Sequence, residues 1–207
     1  MRLFFPFLLF FNIGIQAQTN QWKVKTLFDE HIELKYRISK RIDDTGVRVA
    51  LIEDYTTTTD SLCMHKCISF MKDVTKHKHF AGDKISKFVR SISDSTWIVY
   101  YYSDNPWPVR NSDCVALMRF TESPDNKTAI FSLTAAPTEY ESKGVNRMTN
   151  YNITYLFEDL ANGKVRITMT GRTSPPVKVP LWLIKSAFPK TTANAIRKLA
   201  TLIKQTE

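Results

Sequence analysis

Apolar side chains recur at every second position along much of this chain. Ile32, Leu34, Tyr36 and Ile38 alternate with Glu33, Lys35 and Arg37, the period of a strand with one face buried. A short strand over Trp22 to Phe28 precedes it. After an Asp43-Asp44-Thr45-Gly46 turn, Val47, Val49, Leu51 and Glu53 continue as a third strand to about Thr57. The period then lengthens. Cys63, Cys67, Phe70, Met71 and Val74 recur at helical spacing, which predicts a helix capped by Thr59 or Asp60 and ending near Thr75. The segment Lys76 to Gly82 closes it, and His77 and His79 are expected to be solvated there. From Asp83 the strand period returns. Ile85 to Ser93, Thr96 to Ser103, Asp113 to Glu122, Thr128 to Pro137, Met148 to Glu158 and Lys164 to Arg172 all read as extended. Turn residues separate several of them, including Asp104-Asn-Pro-Trp-Pro108, Ser123-Pro-Asp-Asn126 and Ala161-Asn-Gly163.

Thr173-Ser-Pro-Pro176 breaks the alternation. Pro180 suits the first turn of a helix, which follows from Leu181. Pro189 is expected to kink or restart that helix, which then runs to about Lys204. Ile184, Phe188, Ile196, Leu199 and Ile203 form an apolar stripe, with Lys185, Lys190, Arg197, Lys198 and Lys204 on much of the remaining surface. The order is three strands, a helix, six strands and a long helix. Short connections imply antiparallel pairing. The predicted class is therefore α+β: a curved antiparallel sheet wrapped around a long C-terminal helix. One helix cannot fill so large a concave face, which leaves an apolar cavity, a normal place for a small ligand.

Composition narrows this picture. At 207 residues the chain makes one domain, or two small ones. An apolar share of 43% excludes wholesale disorder, and six Gly with nine Pro exclude collagen-like and low-complexity classes. Of 13 Phe, five fall within residues 1–17, behind a single positive charge at Arg2 and in an apolar run from Leu3 to about Ile15. That pattern predicts a secretory signal peptide cleaved after Ala17, and hence export to a periplasmic or extracellular space. The run is too short to span about 30 Å of hydrocarbon, and Pro6 weakens it as a helix. An uncleaved N-terminal anchor is the alternative. The net charge of +9 raises nucleic acid as a partner, but the basic residues are scattered and carry no nucleic-acid motif, so none is expected.

Candidate chemistry is sparse. Cys63, Cys67 and Cys114 are odd in number, which points to buried free thiols more than to a disulfide framework. Cys63 and Cys67 with His77 and His79 match no familiar zinc spacing, so no metal or cofactor is expected. Glu53, Asp113, Glu139 and the four His are the titratable candidates for catalysis, and none forms a recognisable dyad with another. Gly-x-Ser-x-Gly, His-Glu-x-x-His and phosphate-loop motifs are missing from the sequence. Asn126-Lys-Thr128 and Asn152-Ile-Thr154 are formal glycosylation acceptors in a eukaryotic host.

Two passages carry a family resemblance. Trp97-Ile-Val-Tyr-Tyr-Tyr-Ser-Asp-Asn-Pro-Trp-Pro-Val-Arg-Asn-Ser-Asp-Cys-Val115 resembles the strand, Pro-Trp-Pro loop, Arg-Asp, strand passage of the START lipid-transfer domains, and Val179-Pro180-Leu-Trp-Leu-Ile-Lys185 is similar to the entry into their closing helix. With the order of elements, the resemblance covers about residues 20–205 and implies a helix-grip fold over 18–207. Only Asp113 of the family's Arg-Asp pair is present, since Ser112 stands in place of the Arg, whose role there is to order the loop. Sterol-binding members carry an acid and an Arg in the cavity, at positions that fall near Val99 and Met118 here. Both are apolar, which implies a more generic apolar pocket.

The resemblance implies a non-catalytic, monomeric container for one lipid or other apolar molecule. Its expected walls are the inward strand positions Val99, Tyr101, Met118, Phe120, Phe131, Leu133, Tyr151, Ile153, Ile167 and Met169, with Ile184, Phe188 and Leu199 from the closing helix. The competing reading of each is a plain core residue. Trp107, in the Pro-Trp-Pro loop, is expected to touch a membrane surface transiently, or else to anchor the loop on the sheet. Two alternatives stand beside the container: a cyclase- or hydrolase-like helix-grip enzyme acting on an apolar substrate, and an interaction module whose cavity its own side chains fill.

Overall fold

A computed structural model describes residues 21–27, 31–42, 46, 48–105, 109–175 and 179–206. The expected signal segment and Trp107 lie outside them. The elements are β1 (Lys23–Leu27), β2 (Ile32–Ile42), β3 (Arg48–Ser61), α1 (Met64–Lys72), a 3-10 turn (Val74–Lys76), α2 (Lys78–Ala81), β4 (Ile85–Ser93), β5 (Thr96–Ser103), β6 (Ser112–Glu122), β7 (Thr128–Ala135), β8 (Asn146–Arg147), β9 (Tyr151–Asp159), β10 (Lys164–Thr173) and α3 (Leu181–Gln205). Nine strands form one antiparallel path, β1-β2-β3-β10-β9-β7-β6-β5-β4, and the two-residue β8 adds to β6 in parallel. The helix α3 crosses the β2–β3 side of this sheet, and α1 and α2 close the rest.

Alternation places the faces of β2 correctly, while in β3 the core row is Ile52, Asp54, Thr56 and Thr58 and not the row through Val49, Leu51 and Glu53. Ile32, Leu34 and Tyr36 are buried while Glu33 and Lys35 are exposed. Cross-strand rows run over the concave face: Thr56–Met169–Tyr155–Phe131–Phe120 is one, and Asp54–Gly171–Ile153–Leu133–Met118 is the next. Together with Ile196, Leu199 and Ile203 of α3 they make the main core. Burying a side chain such as Leu or Phe in this way contributes roughly 1.5–3 kcal/mol.

Three local expectations fail. β3 runs four residues beyond Thr57, so Thr59 and Asp60 are strand residues and Cys63 occupies the helix N-cap, with no side-chain hydrogen bond there. Thr56 to Thr59 are β-branched and fit a pleated strand as readily as Thr fits a cap. At Pro189 the helix neither stops nor restarts: α3 is continuous, with Pro189 buried. His77 is not solvated but 2% exposed, while His79 is exposed as expected.

A second apolar cluster, unforeseen from the sequence, covers the outer face of β5 and β6. Ile98, Tyr100 and Val115 pack there under Ala136 and Tyr140. The 136–147 segment is tied down by Arg147, whose guanidinium donates to both carboxylate oxygens of Asp113 (3.0 and 2.7 Å) and to the carbonyls of Pro137, Tyr140 and Glu141. An arginine from β8 thus meets Asp113, where the sequence comparison offered only Ser112 as its neighbour.

Candidate functional site

The concave face is apolar except for a short polar set. Asp54 on β3 is 7% exposed, and one of its oxygens accepts from the Thr56 hydroxyl at 3.1 Å. The other lies over Gly171, where any Cβ would come within 2.3 Å of it. Glycine at that position leaves the space that the carboxyl occupies. Burial pushes Asp54 up to about 6. Gly171 pairs with Ile153 of β9, and Tyr151 and Tyr155 stand two residues to either side on the same face.

His77 sits on this face with Tyr101. Its Nε2 is 2.9 Å from the carbonyl of Met71, which can only accept, so Nε2 carries the proton and Nδ1 accepts from the Tyr101 hydroxyl at 2.8 Å. Desolvation holds His77 down at about 4 and raises the Tyr101 phenol well above its ordinary range. Tyr155, 6% exposed, packs edge-on to Phe80 at 5.9 Å. Burial raises the phenols of both Tyr151 and Tyr155, and no described residue hydrogen-bonds either hydroxyl.

A cleft of about 310 Å³ opens at one end of the grip, between the start of β6, the end of β10 and the first half of α3. Its lining is largely apolar: Val109, Met148, Pro175, Val179, Leu183, Ile184 and Phe188, with Ser112, Thr173 and Thr191. Thr173 pairs directly with Tyr151 of β9. Trp182, beside the lining residue Leu183, is 70% exposed. A larger cleft of about 660 Å³ lies outside the grip, between α1 and Glu122–Asn126, among the exposed polar side chains of His65, Ser69 and Lys72.

The anticipated wall residues divide between these regions. Ile184 and Phe188 line the cleft. Val99, Tyr101, Met118, Phe131, Leu133, Ile167, Met169 and Leu199 belong to the main core, and Phe120, Tyr151 and Ile153 are half-buried against it. The catalytic candidates do not converge. Glu53 pairs with Arg37 and Asp113 with Arg147, and Glu139 pairs with Arg90 on the surface. Sequence reasoning missed Asp54, which lies in a strand otherwise read as half-buried. Its only signal was an acid sharing the alternation of Ile52 and Thr56. All three cysteines are free, with Cys67 and Cys114 buried but Cys63 exposed; burial pushes the Cys67 thiol up to about 12. Among the described residues no three His, Cys, Asp or Glu come together as a metal site, and no helix is long and apolar enough to cross a membrane.

A sheet that grips one long C-terminal helix, with a cleft at the end of that helix, defines the helix-grip class. The START domain model matches residues 67–207, and the chain belongs to that family. A solved STAR-related lipid transfer protein from Xanthomonas axonopodis superposes with a TM-score of 0.71 at 18% identity, over 88% of this chain and 98% of that one. Human StAR-related lipid transfer protein 5 gives 0.70 at 16% identity, over 92% and 89%. The Zhui aromatase/cyclase from Streptomyces sp. R1128 is more distant, at 0.53 and 7% identity, over 75% and 94%. No curated protein matches the sequence.

Proposed function

We propose that this chain is an exported, non-catalytic carrier that holds one apolar molecule inside the grip. The observation that carries the reading is the largely apolar cleft of about 310 Å³ between the first half of α3, the start of β6 and the end of β10. Each methylene of an acyl chain moved from water into such a space contributes about 0.8 kcal/mol. Family membership and the lipid-transfer neighbours support lipid as the ligand class. Export rests on the signal-like residues 1–17.

Among titratable interior side chains, His77 and Tyr101 form a directly hydrogen-bonded pair that the enzyme reading can draw on. Burial moves them in opposite directions, His77 to about 4 and Tyr101 upward, so neither exchanges a proton readily near neutrality. That favours a container. Trp182 at the cleft rim is the described residue best placed to enter a membrane interface, beside the exposed Lys185. In this account Trp182→Ala slows lipid transfer between vesicles. Uptake of Nile red by the delipidated protein tests the container itself: saturable binding of one dye per chain is expected, and no uptake would leave a grip filled by its own side chains.

A further inference from the structure

We propose that residues 144–150 are the gate of the cleft and that the Arg147 guanidinium is its latch. This rests on the carrier reading and adds how the molecule carried enters and leaves.

The segment is the most weakly held wall. Met148 lines the cleft. On one side its N–H donates to the Asp113 carbonyl at 2.8 Å, beside the two-residue pairing of Asn146 and Arg147 with Ser112 and Asp113. On the other side the Asn150 carbonyl accepts from the Ser174 N–H at 2.9 Å, and the Asn150 amide donates to the Ser174 hydroxyl at 2.8 Å. The segment thus bridges the start of β6 and the end of β10, the two strand ends that frame the cleft. Each of residues 144–150 is half-buried or exposed. Gly144 marks one end of the segment. It lies in the left-handed region at φ +73, with no described atom within 4 Å of where its Cβ would stand.

The other walls are better fixed. β10 is paired along both edges, and the cleft end of β6 is paired with β5. The helix α3 is continuous, and Ala193, Ile196, Leu199, Ala200 and Ile203 bury its second half. Local opening begins where backbone bonds and buried contacts are fewest, which selects 144–150.

Arg147 holds this wall shut. It donates to the two Asp113 oxygens at 3.0 and 2.7 Å. It also donates to the carbonyls of Pro137, Tyr140 and Glu141 at 2.9, 2.6 and 2.8 Å. Its side chain is 14% exposed and that of Asp113 is 1% exposed, so water screens the pair little. Tyr140 packs on the outer apolar cluster, which gives the latch a fixed anchorage. While the guanidinium stays in place, Met148 is kept against β6. Its withdrawal leaves only the short β8 pairing and a few single bonds to hold the wall.

A reversible cross-link tests the gate. Ser112 and Asn146 are direct partners across β6 and β8, so the Ser112→Cys/Asn146→Cys protein can be bridged by mild oxidation. The change is made on a Cys63→Ser background to remove the exposed native thiol, and thiol titration confirms the bridge. Oxidation is expected to slow Nile red release from the full chain by at least about tenfold, and reduction to restore it. Uptake should slow by the same factor, so the equilibrium affinity stays unchanged. Release as fast from the bridged protein as from the reduced one overturns the gate and leaves the carrier standing. A second arm needs no bridge. Arg147→Met/Asp113→Leu removes the latch without stranding a buried charge, and should speed release by at least about tenfold with affinity unchanged. A merely structural Arg147 would lower stability and leave the release rate where it was, and that result also overturns the proposal. Absence of Nile red binding by the wild-type chain removes the carrier, and the gate with it.

Discussion

Asp54 and His77 pull the acid stability of this fold in opposite directions. His77 is held at about 4 against an ordinary 6.5, so its neutral form is preferred in the fold. The stability it contributes is complete above pH 6.5 and is lost as pH falls through 4, a change of about 3 kcal/mol. Asp54 is raised from 3.8 to about 6, so its contribution is present below 3.8 and is lost as pH rises through 6, again about 3 kcal/mol. Asp83, also raised by burial, acts with Asp54. Over pH 4 to 6.5 the two large effects nearly offset. Asp54→Asn removes one of them and can still accept from Thr56. The variant should be more stable than the wild type at pH 7, and should then lose about 2 kcal/mol relative to it on acidification to pH 4, as read by urea unfolding at several pH values. Surface carboxylates such as Glu53, lowered by Arg37, are common to both proteins and drop out of the comparison. Gly171 offers a second test. Gly171→Ala should cost about 1–3 kcal/mol because its Cβ meets the Asp54 carboxyl, and adding Asp54→Ala should return much of that, giving a non-additive cycle. Neither role was legible in the sequence. His77 sits in a Lys-His-Lys-His run that looks solvated, yet the short turns there point alternate side chains in opposite directions.

Elements were legible where one face is buried and the other is wet. β4 and β5 begin and end where the alternation does, at Ile85–Ser93 and Thr96–Ser103, and the inward faces of β6, β7, β9 and β10 carry the anticipated residues. What escaped reading lacks a period. β8 has two residues and no pattern, and it exists because Arg147 reaches Asp113. The end of β3 was lost because Thr and Asp serve strands and caps alike. The Arg147 anchor predicts a large local effect. Arg147→Ala leaves the Asp113 carboxylate, whose side chain is 1% exposed, without its counter-charge and should cost about 3–5 kcal/mol in denaturant unfolding. Replacing both partners, as Arg147→Met with Asp113→Leu, should cost markedly less. Hydrogen exchange in the single variant should rise first over residues 136–147, which the guanidinium holds by three carbonyls.

At the scale of the molecule, the fold is one curved sheet whose concave face carries the main core and is closed by α3 with α1 and α2. Its size and class followed from the strand count, the single long helix and the two family-like passages. The position of the cleft did not, because it depends on how the first half of α3 stands off β6 and β10. The polar set on the concave face depends on register: Asp54 of β3 aligns with Gly171 and Ile153 of the β10–β9 hairpin, which is distant from it in the chain. The carrier account is tested most directly by native mass spectrometry of the delipidated chain after incubation with vesicles of a natural lipid extract. It predicts a population heavier than the bare chain by the mass of one lipid, released on organic extraction. A spectrum holding only the bare chain would contradict it.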